Sequence, residues 1–556
     1  LILNLLGHFW PTTLEWPGFV RVFHTPIIRC FSNRDYREFF TLERYKTWWD
    51  TVEDKSRWDV QYYKGLGTNT RKDAQSMFSE ADKYIVPFDP VQASELHDID
   101  MCFNNKRAEE RKALLTVPSN NVSRPETVRE FARGELLDHF RADNQRSIPS
   151  IVDGLKPSQR KVLFACLKRR LTKKMVVEKL AGYVGEHAAY HHGQKSLEET
   201  IVAMAADFVG GLNLPLLVPA SMMGTRLEGG KDHASSRYTK TFLQPYMTRL
   251  FPASTNINLE YIEEEGERIE PTHYFPVVCL VLVNGCHGIG TGYSTHVPAH
   301  HLGDVVRRQR AYLREEDYRS IPIRPFVKGF TGTTEVVQQK VVHTGTYRWI
   351  VPNKEAHVTE LPPGKWTTPY ITMHRDKERK VVNNGNDERV DLVIKADHLS
   401  EADLQLVTKE SLSNFVLFTP QGGLTKYASI DDIFDEYMRV GLATYEKNVQ
   451  AKRAALQRAL LGLARKLKFI EVYRSLQGQP IVESEDGTYP TVAPRMAEAG
   501  HPAPYRDLID GDGRVLVGLT DRAMHRLEAK FQAVERDIVH WDNMTAVRMW
   551  EEDLRQ

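Results

Sequence analysis

Apolar residues along this chain change their spacing several times, and the changes mark out five stretches. Over residues 1–90, short alternating runs interleave with helical periods. Residues 19–23 and 26–31 predict strands, 36–49 a helix, 58–67 a strand entering a glycine turn, and 68–80 a second helix. That alternation is an α/β pattern. Residues 91–142 are polar and read as an irregular connector. Short helices and tight turns follow over 143–265, punctuated by Pro149 and Pro157. Proline suits the first position of a helix, so Pro157 predicts a helix that presents Arg160 and Lys161. Residues 266–425 hold an apolar, β-branched run at 277–283 and then turn strand-rich. Residues 426–556 are mostly long helix. Ile430, Ile433, Tyr437 and Val440 open an amphipathic stretch that runs on through Leu456, Leu460, Leu463, Leu467 and Ile470. Met524, Leu527, Phe531, Val534, Ile538 and Trp541 alternate steps of three and four, the spacing of a coiled-coil seam. The expected fold is multidomain, α/β followed by α+β, ending in two long antiparallel helices with a small Gly- and Pro-containing cap around 475–518.

Composition narrows this picture only slightly. The 556 residues leave room for several domains. A 41% hydrophobic and 26% charged chain is ordinary for globular domains. The formal net charge of +1 does not itself point to a polyanion. Placement of the charge does. From Arg146 to Lys179 the bases are Arg146, Lys156, Arg160, Lys161, Lys168, Arg169, Arg170, Lys173, Lys174 and Lys179, against the acids Asp153 and Glu178 alone. A solvated helix face mixes both signs; a one-sided cluster is the footprint of a nucleic-acid surface. The five cysteines (Cys30, Cys102, Cys166, Cys279, Cys286) contain no Cys-x-x-Cys pair, which fits free thiols in a reducing compartment rather than zinc or disulfides. No apolar run is long enough to span a membrane, so no membrane partner is expected. Residues 1–10 are apolar without a basic leader and read as a helix cut from a longer protein, not as a signal peptide.

Candidate chemistry concentrates in residues 224–238, Gly-Thr-Arg-Leu-Glu-Gly-Gly-Lys-Asp-His-Ala-Ser-Ser-Arg-Tyr. A tyrosine hydroxyl, with an ordinary pKa near 10, is a poor nucleophile at neutral pH. A neighbouring arginine can hold a phosphate and stabilise the charge that builds when oxygen attacks phosphorus. Arg237 and Tyr238 therefore suit covalent phosphoryl transfer that retains the phosphate as a tyrosyl ester. An isolated Arg-Tyr pair is usually only a packed tyrosine. A second glycine-rich stretch, residues 284–293 (Asn-Gly-Cys-His-Gly-Ile-Gly-Thr-Gly-Tyr), has too many glycines for a regular element and lacks the Lys-Ser/Thr of a P-loop.

The 224–238 segment resembles the active-site loop of type IIA DNA topoisomerases of the eukaryotic branch. Further matches run in order along the chain. Residues 62–68 (Tyr-Tyr-Lys-Gly-Leu-Gly-Thr) are similar to a TOPRIM motif, and 109–115 to a helix that touches the DNA backbone. Residues 146–162 and 181–193 resemble the winged-helix domain, and 284–293 the glycine loop whose isoleucine wedges between base pairs. The resemblance implies a partial TOPRIM domain over 1–90, a connector over 91–142, a winged-helix domain with the active-site tyrosine over 143–265, a tower over 266–425, and a coiled-coil C-gate dimerisation region over 426–556. It implies ATP-dependent passage of one duplex through a transient double-strand break in another, by a homodimer on double-stranded DNA. Tyr238 is the implied nucleophile on a 5′ phosphate and Arg237 the stabiliser of the phosphorane. Arg146 and His192 are implied as further catalytic groups, His192 being the histidine placed before Gly193. Lys64, Arg111, Lys112, Lys156, Arg160, Lys161, Tyr190, His191 and Ser196 are implied on DNA, with Ile289 as the wedge.

Several departures accompany the resemblance. The family's acidic metal motifs are not in this sequence, so no metal ligand is assigned here. Ligands for Mg2+ and the ATP-binding domain are expected upstream of these residues. Ser236 stands where eukaryotic relatives usually have Pro, Met222-Met223 replace a Gln-Phe pair, and Cys286-His287 replace Ala-Glu. These differences point to a divergent eukaryote or a large DNA virus, and hence to a nucleus or a viral factory. The competing readings are a bacterial-type gyrase component, an architectural DNA-binding protein with a dead site, and a phosphotransferase that does not act on DNA.

Overall fold

The computed structural model describes residues 1–33, 35–63, 69–120, 122, 125–264, 267–475, 492–501, 508 and 520–555. The chain divides into two compact units, one of Leu1–Pro149 with His287–His296, the other of Ser150–Cys286 with Val297–Gln556.

In the first unit, the buried strand Ile28–Phe31 lies between Tyr36–Phe39 and Asp59–Tyr62, antiparallel to both. The single helix expected over 36–49 is instead a strand followed by the helix Leu42–Asp50. Tyr36, Phe39 and Phe40 favour a pleated surface, and the Thr41 side chain then caps a new helix by accepting from the Arg44 amide. Phe39, Tyr45, Trp48, Trp58 and Tyr62 close over Ile28 and Cys30. The expected irregular connector is also corrected. It folds as the helices Ala93–Phe103, Ala108–Thr116, Val128–Arg133 and Glu135–Ser147. Reciprocal caps start two of them, Gln92 with Glu95 and Thr127 with Glu130. Their sparse apolar residues, including Met101, Leu114, Leu137 and Phe140, are all buried together, which a polar average conceals.

In the second unit, the helices Pro157–Lys168, Val177–His187 and Gln194–Ala203 share a core of Val162, Leu163, Val184, Leu197 and Ile201. The apolar run at 277–283 enters the same core and ends in the buried helix Leu280–Asn284. Residues 333–411 form two antiparallel sheets. One orders Thr333–Val337, Lys340–Thr344 and Val407–Ser411. The other orders Thr346–Val351, Glu355–Glu360, Leu392–Lys395 and Lys380–Asn383. The helix Thr367–Arg375 covers the four-stranded sheet, with Tyr370 packed on Val358, Leu392 and Ile394. The helix Ile430–Ser475 has 46 residues. At 1.5 Å per residue it is about 69 Å long. The helix Asp521–Asp542 runs back along it, because Arg474 pairs with Asp521 while Arg453 reaches the carbonyls of Trp541, Asp542 and Met544. The base of the long helix is locked into the core by Phe275, Tyr437, Tyr445 and Trp550, whose indole donates to the Val277 carbonyl. Most of the expected cap lies outside the described residues; the helix Ala493–Glu498 is within them.

Two buried histidines make this unit acid-sensitive. Burial holds the His300 imidazole down at about 4, and burial with Arg379 and Lys377 nearby does the same for His374. Unfolded histidine titrates near 6.5. Above that value both states are neutral and the stability is complete. As pH falls from about 6.5 towards 4, the unfolded chain takes protons that the folded chain refuses. Stability then drops by about 1.4 kcal/mol per pH unit for each histidine. Denaturant midpoints measured between pH 7 and pH 4.5 should show this fall, and a His300→Asn/His374→Asn variant should show a flatter profile.

Candidate active site

The turn that carries Arg237 and Tyr238 is held by its backbone. Ser235 carbonyl accepts from the amides of Tyr238 (2.8 Å) and Thr239 (3.2 Å). Ser236 and Thr239 carbonyls accept from the amides of Glu178 and Val177, at the start of the helix Val177–His187. The strand Lys240–Thr241 then pairs with Met175–Val176. With the main chain so fixed, both side chains point outward. Tyr238 is 64% exposed, and the Arg237 guanidinium lies 5.1 Å from the centre of its ring. Arg237 makes no ion pair among the described residues. Upstream, the loop 224–233 is docked rather than loose. Asp232 takes both the amide and hydroxyl of Thr225, and buried Arg226 pairs with Glu360. A Cβ on Gly229 would sit 2.2 Å from the Trp366 ring, so only glycine lets that indole seat against the loop.

Around this turn, the basic stretch separates into two kinds of residue. Arg160 is not presented to solvent as the sequence predicts. It is 7% exposed and donates to both oxygens of fully buried Asp153, at 2.7 and 3.0 Å. Lys161 is likewise turned in, bound to Glu270 at 2.8 Å and to the Ala188 carbonyl. Lys156, at the cap of the same helix, has no ion pair among the described residues, and burial pushes its ammonium below the usual lysine value. Lys168, Arg169, Arg170, Lys173, Lys174 and Lys179 are all exposed. His191 hydrogen-bonds Glu264 at 2.7 Å. His192 stands edge-on to Tyr190 with ring centres 5.4 Å apart. Ser196 is exposed in the first turn of the helix Gln194–Ala203.

The first unit holds a second group. The glycine-rich 284–293 stretch is more regular than its composition suggests, with strands Cys286–Ile289 and Ser294–Val297 paired as a hairpin. Glycine is what permits it: a Cβ on Gly288 would lie 2.2 Å from the Ser147 carbonyl oxygen, so the strand rests directly on the helix end. Ile289, 70% exposed, projects from this seat. Asp143 ties the hairpin to Arg146, accepting from Arg146 at 2.7 Å and from the Thr291 hydroxyl at 2.8 Å. Lys112 pairs with Glu109 and sits 5.5 Å from the centre of the Tyr293 ring. Arg111, expected on DNA, is instead 8% exposed and donates to the Met101 and Asn104 carbonyls. Lys64 lies outside the described residues.

The DNA gyrase/topoisomerase IV family model matches residues 146–555. The chain belongs to this family of type IIA topoisomerases. A second model, the C-terminal associated domain of TOPRIM, matches residues 23–144 of the same topoisomerase chain. The topoisomerase chain is 35% identical over 500 residues to DNA topoisomerase 2 of Arabidopsis thaliana, covering 84% of itself and 34% of that protein. It is 33% identical over 482 residues to DNA topoisomerase 2-beta of Mus musculus, covering 80% and 30%. Its fold is similar to the crystal structure of the Plasmodium falciparum topoisomerase II DNA-binding, cleavage and re-ligation domain, with a TM-score of 0.79 at 30% identity. That likeness covers 100% of this chain and 81% of the other. The chain spans about a third of the length of the curated topoisomerase relatives it matches.

Among the described residues of this topoisomerase chain, no three His, Cys, Asp or Glu side chains converge as metal ligands, so no Mg2+ set is assigned to them. Motifs in the sequence also gave no sign of Asp143, Glu198, Glu264 and Glu270. Each is an acid whose partner is set by the fold, and only Asp143 is close enough to its arginine for a helical i,i+3 spacing to hint at the pair. The two classes of base predict different stabilities. Arg160→Met strands a buried carboxylate and should cost about 3–5 kcal/mol in chemical denaturation. Lys156→Met removes a desolvated, unpaired ammonium and should leave stability unchanged or slightly raised.

Proposed function

We propose that this topoisomerase chain cuts double-stranded DNA through Tyr238 and thereby supports passage of a second duplex. The observation that carries the reading is an exposed tyrosine, beside an exposed arginine with no ion pair, on a turn whose backbone is fixed. The Tyr238 hydroxyl oxygen attacks phosphorus and forms a Tyr–O–P bond to the 5′ phosphate. The bond to the 3′ oxygen breaks, the tyrosine proton is taken up by a neighbouring base, and the 3′ oxygen leaves as a hydroxyl after gaining a proton. Arg237 stabilises the added negative charge. His192 and Arg146 are assigned as further catalytic groups, His192 as proton carrier or donor. The ester keeps the energy of the broken bond, so religation needs no other energy source.

Lys156, Lys112, Ser196, Tyr190 and His191 are assigned to DNA, and Ile289 to wedging a base step and bending the duplex. Arg160, Lys161 and Arg111 are assigned instead to holding the fold. In this reading residues 1–90 belong to a TOPRIM domain, 143–265 to a winged-helix domain, 266–425 to a tower, and 426–556 to a dimerising gate. The complete enzyme is assigned as a nuclear homodimer that uses Mg2+ and ATP. The described residues supply ligands for neither cofactor, and no step is routed through them.

The decisive assay mixes the complete protein with supercoiled plasmid and magnesium and stops the reaction with detergent. Wild type should yield covalently tagged, linear DNA, and Tyr238→Phe none. An adduct that survives Tyr238→Phe, or a wild type that never forms one, would remove Tyr238 from the chemistry. Relaxation and decatenation gels exclude a phosphotransferase indifferent to topology. Binding measured across a salt series separates the bases. Lys156→Ala should reduce the slope of log affinity against log salt by about one. A buried Arg160 should leave that slope unchanged.

A further inference from the structure

Resting on the assignment of Tyr238 as nucleophile, we propose that Glu198 is a positioning residue. It ties the nucleophile's turn to the helix whose first turn is assigned to DNA. The Ser236 hydroxyl donates to Glu198 Oε2 at 2.7 Å. The other oxygen, Oε1, accepts from the Gln194 side chain at 2.8 Å. Both oxygens of one carboxylate are therefore engaged, one by the turn and one by its own helix, Gln194–Ala203. That helix starts directly after His192 and Gly193 and carries Ser196 in its first turn.

The tether matters because of what lies behind the turn. A cavity of about 1070 Å3 is lined by Lys195, Val202, Phe208, Met223 and Trp366, and its wall includes Ser235 and Ser236. On this side the turn has empty space rather than packed side chains. Its backbone bonds to Val177 and Glu178 hold it from the opposite helix. The Ser236–Glu198 bond is a side-chain link from the turn across to Gln194–Ala203. A hydrogen bond to a charged group is among the stronger ones available. With it intact, settling of the helix on a DNA phosphate moves the residue adjacent to Arg237 in the same step. Without it, Tyr238 keeps its chemistry and its exposure but samples more positions relative to a bound strand. Small misplacements of a reacting atom lower the rate far more than the affinity.

The test measures adduct formation and DNA affinity in parallel on the complete protein. Ser236→Ala and Glu198→Ala should each slow covalent adduct formation about tenfold while the DNA dissociation constant stays within about twofold. The double variant should be no slower than either single variant, because both remove one bond. Ser236→Thr, which keeps a hydroxyl, and Glu198→Gln, which keeps an acceptor, should recover most of the rate. Wild-type rates in both alanine variants overturn the proposal. So does a loss of rate matched by equal losses of affinity and thermal stability, or one that Glu198→Gln does not rescue. Tyr238→Phe is the control for the underlying reading: if it still forms adduct, the nucleophile assignment fails whatever Glu198 does.

Discussion

Four donors meet on one carboxylate that water does not reach. Asp153 accepts from Arg160 Nε and Nη2, from the Leu155 amide and from the Tyr274 amide. Taking that pair out of water is expensive, and the ion pair is not a large net source of stability. Its effect is on specificity. The carboxylate fixes the entry of the helix Pro157–Lys168, faces Arg160 inward, and fastens the chain at Tyr274 to the same point. Once Arg160 is committed inward, Lys156 at the helix cap is left as the uncommitted cation. The three helices that pack together in this core inherit that register, and two of them carry the residues that hold the tyrosine turn. A different rotamer for Arg160 would leave a buried charge without a partner, so the alternatives are excluded by cost rather than by shape.

The tyrosine turn then follows a simple division of labour. Backbone amides and carbonyls do the holding, which frees the Arg237 and Tyr238 side chains for a ligand. A side chain that had to hold its own turn could not also react. The cysteines make the contrast clear. All five are free, and burial pushes Cys30 and Cys102 up to about 11 and Cys166 to about 12. Thiolate chemistry at these three is suppressed. The exposed oxygen nucleophile beside a cation is the tyrosine.

The sequence made some of this legible, and the limits are instructive. The long helices, the strand-rich 333–411 region and the 224–238 segment could be read because each rests on local period or local motif. The direction of Arg160 could not, because it depends on a carboxylate seven residues away and on a backbone amide 121 residues from that carboxylate. Arg111 looked like half of a basic pair, yet its partners are two carbonyls from the preceding helix and its end. A cluster of bases announces positive charge, but not which members have been neutralised internally. The glycine-rich stretch misled in the opposite sense. Its glycines suggested irregularity, whereas at Gly288 the missing side chain is what allows a strand to lie on a helix end. Glycine content reports close approach as readily as looseness, and only the neighbouring backbone tells the two apart.

The terminal helices show the same limit at larger scale. The steps of three and four along Met524, Leu527, Phe531, Val534, Ile538 and Trp541 correctly identify a helix and one apolar face. Yet no residue of Asp521–Asp542 is buried, and these six are only half covered. Two antiparallel helices touch along one line, so each shields only part of the other's apolar stripe. Periodicity encodes which face is apolar and says nothing about how many surfaces will cover it. That number is set by what else packs on the stripe, just as the fate of each base in the core is set by the acid that reaches it.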